Sequence, residues 1–465
     1  MTGSTAERSP SARRLPDRLW LPTLVGALLA LGFVGALLVR ADGDVSLLVH
    51  AAPPWTYAED GTRGSLTVQP AADGFDGQFF YRLGVSPMST DRTVHGVTFD
   101  LASLRNARWG YGALAFAASG GDPDLVPWTL VGLNLAAAAA VGAIGGGLAR
   151  SSGRHAGWGL LFVLWPGFAY SLSLDTSELV ASAFLLGGLL ALRHRRWLLG
   201  GLLLTAAVLT RDTTAGVPFG VAVTGAWLWW STRRGPSSVA LSGSVGGAPA
   251  VAHAAPSPVG VGPVLRRDEW VGRRPASMGG VPPSIDSEPG DPVQAGGRQP
   301  GSDVNLLVAG GLPLMAFAAW QLVQRSRFGS LPLTSSGDNN LSAPLTGLAD
   351  QMGKLLPPSG GEEAFRLISV VGLVALVIAA AWCWRRSAAT LAERVAWLPA
   401  VAVVVVLNAY LWSGATAFMR AATEVGLLST LLILGSPRRR LLPLAGLGLA
   451  GLWALTAVAQ LSKLS

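Results

Sequence analysis

Apolar blocks of roughly 14 to 23 residues, parted by short polar breaks, run through this chain and leave few solvents in which it could fold. A helix rises about 1.5 Å per residue, so the longer blocks match the roughly 30 Å of hydrocarbon in a bilayer. A soluble core has no need of so many. Composition agrees, since 50% of the residues are hydrophobic and 13% are charged, about half the charged share of ordinary soluble proteins. The expected fold is an all-α integral membrane protein of about eleven transmembrane helices.

The first block, Leu19 to Val39, follows Arg8, Arg13, Arg14 and Arg18, which puts residues 1–18 in the cytoplasm. It is longer than a signal peptide's apolar region, and no clear cleavage site follows it, so it reads as an uncleaved anchor. Residues 40–125 are too polar to span and form a large first extracytoplasmic loop, expected to hold interfacial helices. Blocks follow at Val126 to Leu148, Trp158 to Leu174, Ser177 to Leu192, Trp197 to Thr210 and Thr213 to Trp230, closing a first membrane module over 19–230. The stretch 231–303 is rich in Gly, Pro and Ser without a sustained period, and reads as a disordered cytoplasmic insertion. A second module, 304–465, has blocks at Val304 to Val323, Leu367 to Trp384, Val395 to Leu411, Ala417 to Leu434 and Leu441 to Leu461, with an extracytoplasmic loop over 324–366.

Alternate crossings place Arg150 and Arg154, Arg193 to Arg196, Arg233 and Arg234, Arg385 to Arg394, and Arg438 to Arg440 on the cytoplasmic side, as the positive-inside rule requires. The net charge of +8 is thereby explained without a nucleic-acid partner. The single cysteine, Cys383, lies in an apolar block and excludes an intrachain disulfide. The bias to Ala, Gly, Leu and Arg over Lys fits a GC-rich bacterial genome.

Several charges disobey positive-inside and share the opposite face: Asp175 and Glu178, Arg211 and Asp212, Arg420 and Glu424, together with first-loop residues Asp73, Asp76, Asp91, Asp100, Arg82, Arg105 and Arg108. An ionisable group near hydrocarbon is costly unless paired or facing water, so the collection points to a polar cavity; short-turn capping and mutual pairing would also account for the residues one by one. The unit Gly74-Phe75-Asp76-Gly77-Gln78-Phe79-Phe80-Tyr81-Arg82-Leu83 reads as the start of an interfacial helix, with Phe79, Phe80 and Leu83 on one face and Asp76 at the end where the dipole favours an anion. A solvated helix cap is the plainer reading of Asp76.

At these residues the chain resembles the GT-C superfamily of membrane glycosyltransferases, particularly bacterial mannosyl- and arabinosyltransferases that use lipid-linked sugars. The resemblance lies in the Asp-Gly-Gln-aromatic-Tyr unit Asp76 to Tyr81, in Arg105, Arg108, Trp109 and Tyr111, in Asp175 to Leu179, and in Leu209 to Asp212. Beyond about residue 220 it is carried by hydropathy and the stretch Arg420 to Glu424; Gly110 and Gly112 flank Tyr111 where the family commonly has a Pro.

The resemblance implies transfer of a sugar from a polyprenyl-phosphate donor to an envelope glycan or lipid acceptor at the extracytoplasmic face, with inversion and without a metal or cofactor. It makes Asp76 the catalytic base. Asp73, Gln78, Tyr81, Arg82, Arg108, Tyr111, Asp175, Glu178, Arg211, Asp212, Arg420 and Glu424 are then candidates for binding substrate, with Arg211 or Arg420 on the carrier phosphate. A transporter or lipid flippase is the main alternative, although no internal repeat is visible; an inactive envelope scaffold is a third.

Overall fold

The computed structural model describes residues 17–57, 65–69, 74–234, 301–335 and 340–464, and helices account for 74% of these residues. In order they are α1 (Trp20–Arg40), α2 (Asp76–Val85), α3 (Ala102–Ala107), α4 (Trp109–Ser119), α5 (Val126–Ser151), α6 (Leu160–Val163), α7 (Gly167–Ser173), α8 (Glu178–Arg193), α9 (Trp197–Thr210) and α10 (Gly216–Arg233). Then come α11 (Ser302–Phe328), α12 (Pro332–Ser335), α13 (Thr346–Leu355), α14 (Gly361–Cys383), α15 (Leu391–Val405), α16 (Ala409–Trp412), α17 (Ala415–Ala421), α18 (Thr423–Leu434) and α19 (Leu441–Leu461). A small hairpin, Thr93–Val94 with Val97–Thr98, lies between α2 and α3. Most of the expected insertion, residues 235–300, falls outside the described residues.

Among the described residues five helices, α1, α5, α11, α14 and α19, are long and apolar enough to cross a bilayer, and the bent pair α17 and α18 makes a sixth if it counts as one span. The other expected blocks are shorter or broken for local reasons. The block from Trp158 to Leu174 is divided into a 3-10 turn, α6 and α7, with Pro166, which cannot donate a backbone hydrogen bond, standing before α7. The block ending at Leu411 stops at Val405, where the carbonyls of Val405 and Val406 accept from Leu345 N and Ser342 N of a crossing segment. The stretch 324–366 is more helical than a loop: α11 continues to Phe328, α12 and α13 follow, and α14 begins at Gly361.

The region 40–125 also differs from expectation. Its helix α2 has no free apolar face to lay on a membrane surface, because every residue from Gly77 to Val85 is buried within the protein. The N-cap position is Phe75, and Asp76 is the first helical residue.

Two close approaches place α2 and α4 in the bundle. A Cβ on Gly77 would lie 2.5 Å from Val49 O and 2.6 Å from Leu174 O, so only glycine lets the start of α2 press on the turn between α7 and α8. A Cβ on Gly110 would lie 2.5 Å from Thr210 Oγ1, and its absence brings the start of α4 against the end of α9. Asp76 is thereby carried to the start of α8, and Arg108 to the Arg211-Asp212 turn.

Candidate functional site: a shared ionic cluster

The charged residues of these segments meet at one end of the bundle. Arg105 lies on α3, and Arg108 is the non-helical residue between α3 and α4. Asp100, just before α3, grips the Arg105 guanidinium with both oxygens, at 2.8 Å from Nε and 2.6 Å from Nη2. The fork is thus aimed with Nη1 free to reach Asp76 Oδ1 at 2.6 Å, and it lies 4.2 Å above the Phe79 ring centroid. Arg108 joins Asp212 at 3.2 Å and Asp76 Oδ2 at 3.8 Å.

From the distant end of the chain, Arg420 donates through Nη2 to Asp76 Oδ2 at 2.6 Å and through Nε to Glu178 Oε1 at 2.7 Å. Arg211 also donates to Glu178 Oε1, and reaches Glu424 Oε1 at 3.1 Å and the backbone carbonyl of Arg420 at 2.7 Å. Thr213 Oγ1 supports Glu424 at 2.8 Å. A single oxygen of Glu178 therefore joins Arg211 to Arg420, and Asp76 joins Arg420 to Arg105.

The cluster has a closed floor and an open side. The side chain of Glu178 is 1% exposed, whereas those of Asp76 and Arg108 are 19% and 24% exposed. Burial alone would push the Asp76 carboxyl up, but Arg105, Arg420 and Arg108 outweigh it and hold the carboxyl well below the usual carboxylate range. Asp212 beside Arg108 raises that guanidinium's hold on its proton. Arg105, Arg108, Arg211 and Arg420 face Asp76, Asp100, Asp212, Glu178 and Glu424, so the cations are already matched by acids. An incoming anion competes with these carboxylates for the guanidiniums.

Of the residues singled out in the sequence, Asp76, Arg108, Glu178, Arg211, Asp212, Arg420 and Glu424 come together here. Gln78 does not, since its Oε1 accepts from Thr56 Oγ1 at 2.7 Å on the other side of α2. Arg82 lies 3.6 Å over the Phe99 ring centroid and donates to Arg92 O at 2.7 Å, which ties α2 to the hairpin. Tyr81 is fully buried in the core. Tyr111 donates to Leu130 O and accepts from Asn134 Nδ2, each at 2.8 Å. Asp175 is fully buried, and neither of its oxygens has a hydrogen-bond partner among the described residues. Asp73 lies outside the described residues.

Two members of the site escaped the sequence reading in their roles. Asp100 sits five positions before Arg105, a spacing that no helical rule marks, and Thr213 looked like the start of an apolar block. The chain matches no known protein family, no curated protein and no solved structure. The likeness to GT-C enzymes therefore rests on its motif residues alone.

Proposed function

We propose that this protein is a membrane glycosyltransferase that moves a sugar from a polyprenyl-phosphate donor to a glycan or lipid acceptor of the cell envelope. In this reading the chain crosses the membrane about eleven times, with short and broken helices completing the spans, and its ionic cluster faces the extracytoplasmic side. The observation that carries it is the carboxylate of Asp76, partly open to solvent and held between Arg105 and Arg420. Such a group has what direct displacement needs: a base for the acceptor hydroxyl and guanidinium forks for the departing phosphate.

The acceptor oxygen bonds to the anomeric carbon as the bond from that carbon to the phosphate oxygen breaks. The hydroxyl proton passes to Asp76, and the electron pair leaves with the polyprenyl phosphate. Asp76 clamped by three guanidiniums is a weak base, so donor binding has to activate it. A phosphate that engages Arg420 or Arg105 draws that cation off the carboxylate and raises its proton affinity. The base is then strengthened only when the donor is in place.

A second reading has one observation in its favour. Helices α17 and α18 are bent by 57° at Ala422, between Arg420 and Glu424, and interrupted helices with charged ends also build transporter sites. One experiment separates the two. Lipid extracts of a deletion strain and its parent, compared by mass spectrometry, should differ by a sugar increment on one envelope component. Identical extracts would reject the transferase.

A further inference from the structure

Beside the ionic cluster, the other face of α3 meets α11. Trp320 Nε1 donates to Ala107 O at 3.2 Å, and Ser103 Oγ lies 2.8 Å from Ser330 Oγ. These two contacts set α3 antiparallel to the end of α11 and bracket Gln324, which falls opposite the segment Ser103 to Ala107. Gln321 and Gln324 are 5% and 0% exposed. Neither amide has a partner, for oxygen or nitrogen, among the described residues. Across the seam, fully buried Asn106 gives its Nδ2 to Ala102 O at 2.8 Å and leaves Oδ1 unpartnered. The indole nitrogen of Trp109 is unpartnered as well, and its ring stands 5.5 Å from that of Trp320.

Buried amides without partners are a standing cost to a fold, greater still beside hydrocarbon, and leucine would fill the space without it. Their chemistry restricts what could satisfy them. An amide offers both an acceptor and donors, which matches a hydroxyl that does the same. The unpartnered oxygens of Gln321, Gln324 and Asn106 and the N–H groups of the two glutamines carry no net charge with which to hold an anion, and no carboxylate stands among them to hold a cation. A flat indole beside them suits the C–H face of a ring. Asn106 lies in sequence between Arg105 and Arg108, which both hold Asp76.

We propose that Gln321, Gln324, Asn106 and Trp109 form a subsite that reads the hydroxyls of a neutral sugar ring. This rests on the transferase reading, and the ring belongs either to the donor or to the acceptor. The test uses detergent-purified protein and three kinds of probe: farnesyl phosphate, its mannosyl and arabinosyl phosphodiesters, and the methyl glycosides of the same sugars. Binding and melting temperature are measured for the parent and for Gln321→Leu, Gln324→Leu and the double variant.

The expected result is that the parent prefers a sugar-bearing farnesyl phosphate to farnesyl phosphate by about tenfold. The double variant should lose that preference, keep its affinity for farnesyl phosphate and melt no lower than the parent. Loss of methyl glycoside binding instead would place the acceptor's sugar there. Full sugar preference in the double variant overturns the subsite, as does a parent that binds farnesyl phosphate and ignores every sugar. A parent that ignores farnesyl phosphate too removes the transferase reading along with it. If the double variant does not accumulate, Gln324→Met, closer in shape, is judged by the same outcomes.

Discussion

Arg420 Nη2 and Asp76 Oδ2 stand 2.6 Å apart although 344 positions separate them in the chain. The contact joins the first polar region to the last third of the molecule, and it occupies the carboxylate assigned as base. Asp76→Asn keeps the size and one acceptor oxygen, so it still accepts a hydrogen bond from Arg105 or from Arg420 but not from both. The variant should accumulate in membranes at somewhat lower stability while sugar transfer falls by about 10² to 10⁴. Asp73→Asn, three residues earlier, should cost much less. Transfer by Asp76→Asn within a few-fold of the parent would remove the residue from catalysis.

Arg211 and Arg420 should separate under the same conservative change. The Arg211 nitrogens are taken up by Glu178, Glu424, Thr213 and the Arg420 carbonyl, so Arg211→Lys breaks a buried bridge and should lower stability by about 1–3 kcal/mol. Arg420 lies on the side toward Asp76, and Arg420→Lys should weaken binding of farnesyl phosphate more than it lowers the melting temperature. Equal melting of Arg211→Lys and parent would contradict the bridging role.

Asp175 offers a contrast among the acids. Burial pushes its carboxyl well above the usual range, which favours the neutral form and makes Asn a close substitute. Its φ of +45° is also one that Asn adopts readily. Asp175→Asn should change stability by less than about 1 kcal/mol, whereas Asp175→Ala puts an ordinary residue in left-handed backbone at a cost of about 1–2 kcal/mol. A collapse of Asp175→Asn would mean that the group is charged.

The pH dependence follows from Asp76. Its folded carboxyl lies below the usual 3.8, so its contribution to stability is complete above that value and is lost as pH falls further toward the folded value. Melting temperature should be insensitive to this group between pH 7 and about 5 and should drop below about pH 4, less steeply in Asp76→Asn. An identical acid limb in the two proteins would show that the carboxylate is not held by its arginines.

Topology can be read with reporter fusions. Those placed after Arg196 and after Arg440 should report cytoplasm, and one near Gly120 should report the outside. Agreement between Gly120 and Arg196 would remove the shared outer face.

Much of the cluster could be read in the sequence, because charges that break an apolar pattern are conspicuous and hydrocarbon forces them together. Glu178, Arg211, Arg420 and Glu424 each stood out in this way. Their partners did not: Arg211 could equally have paired with Asp175 or Asp212, and only tertiary contacts turn it to Glu178 and Glu424. Gln78 and Arg82 belonged to the motif but point elsewhere, since adjacent helical residues face different sides. Hydropathy located the long helices α1, α5, α14 and α19. It could not show that Pro166 or the segment at Ser342 to Leu345 would divide other blocks, because a window average takes no account of backbone hydrogen bonds.

The bend between α17 and α18 also keeps two charges from cancelling each other. Arg420 and Glu424 are four residues apart, and on an unbroken helix such a pair lies one turn apart and attracts. The break turns the cation toward Asp76 and Glu178 and leaves the anion to Arg211. Straightening this joint would let Arg420 and Glu424 neutralise one another, silencing the centre without the loss of a single charged side chain.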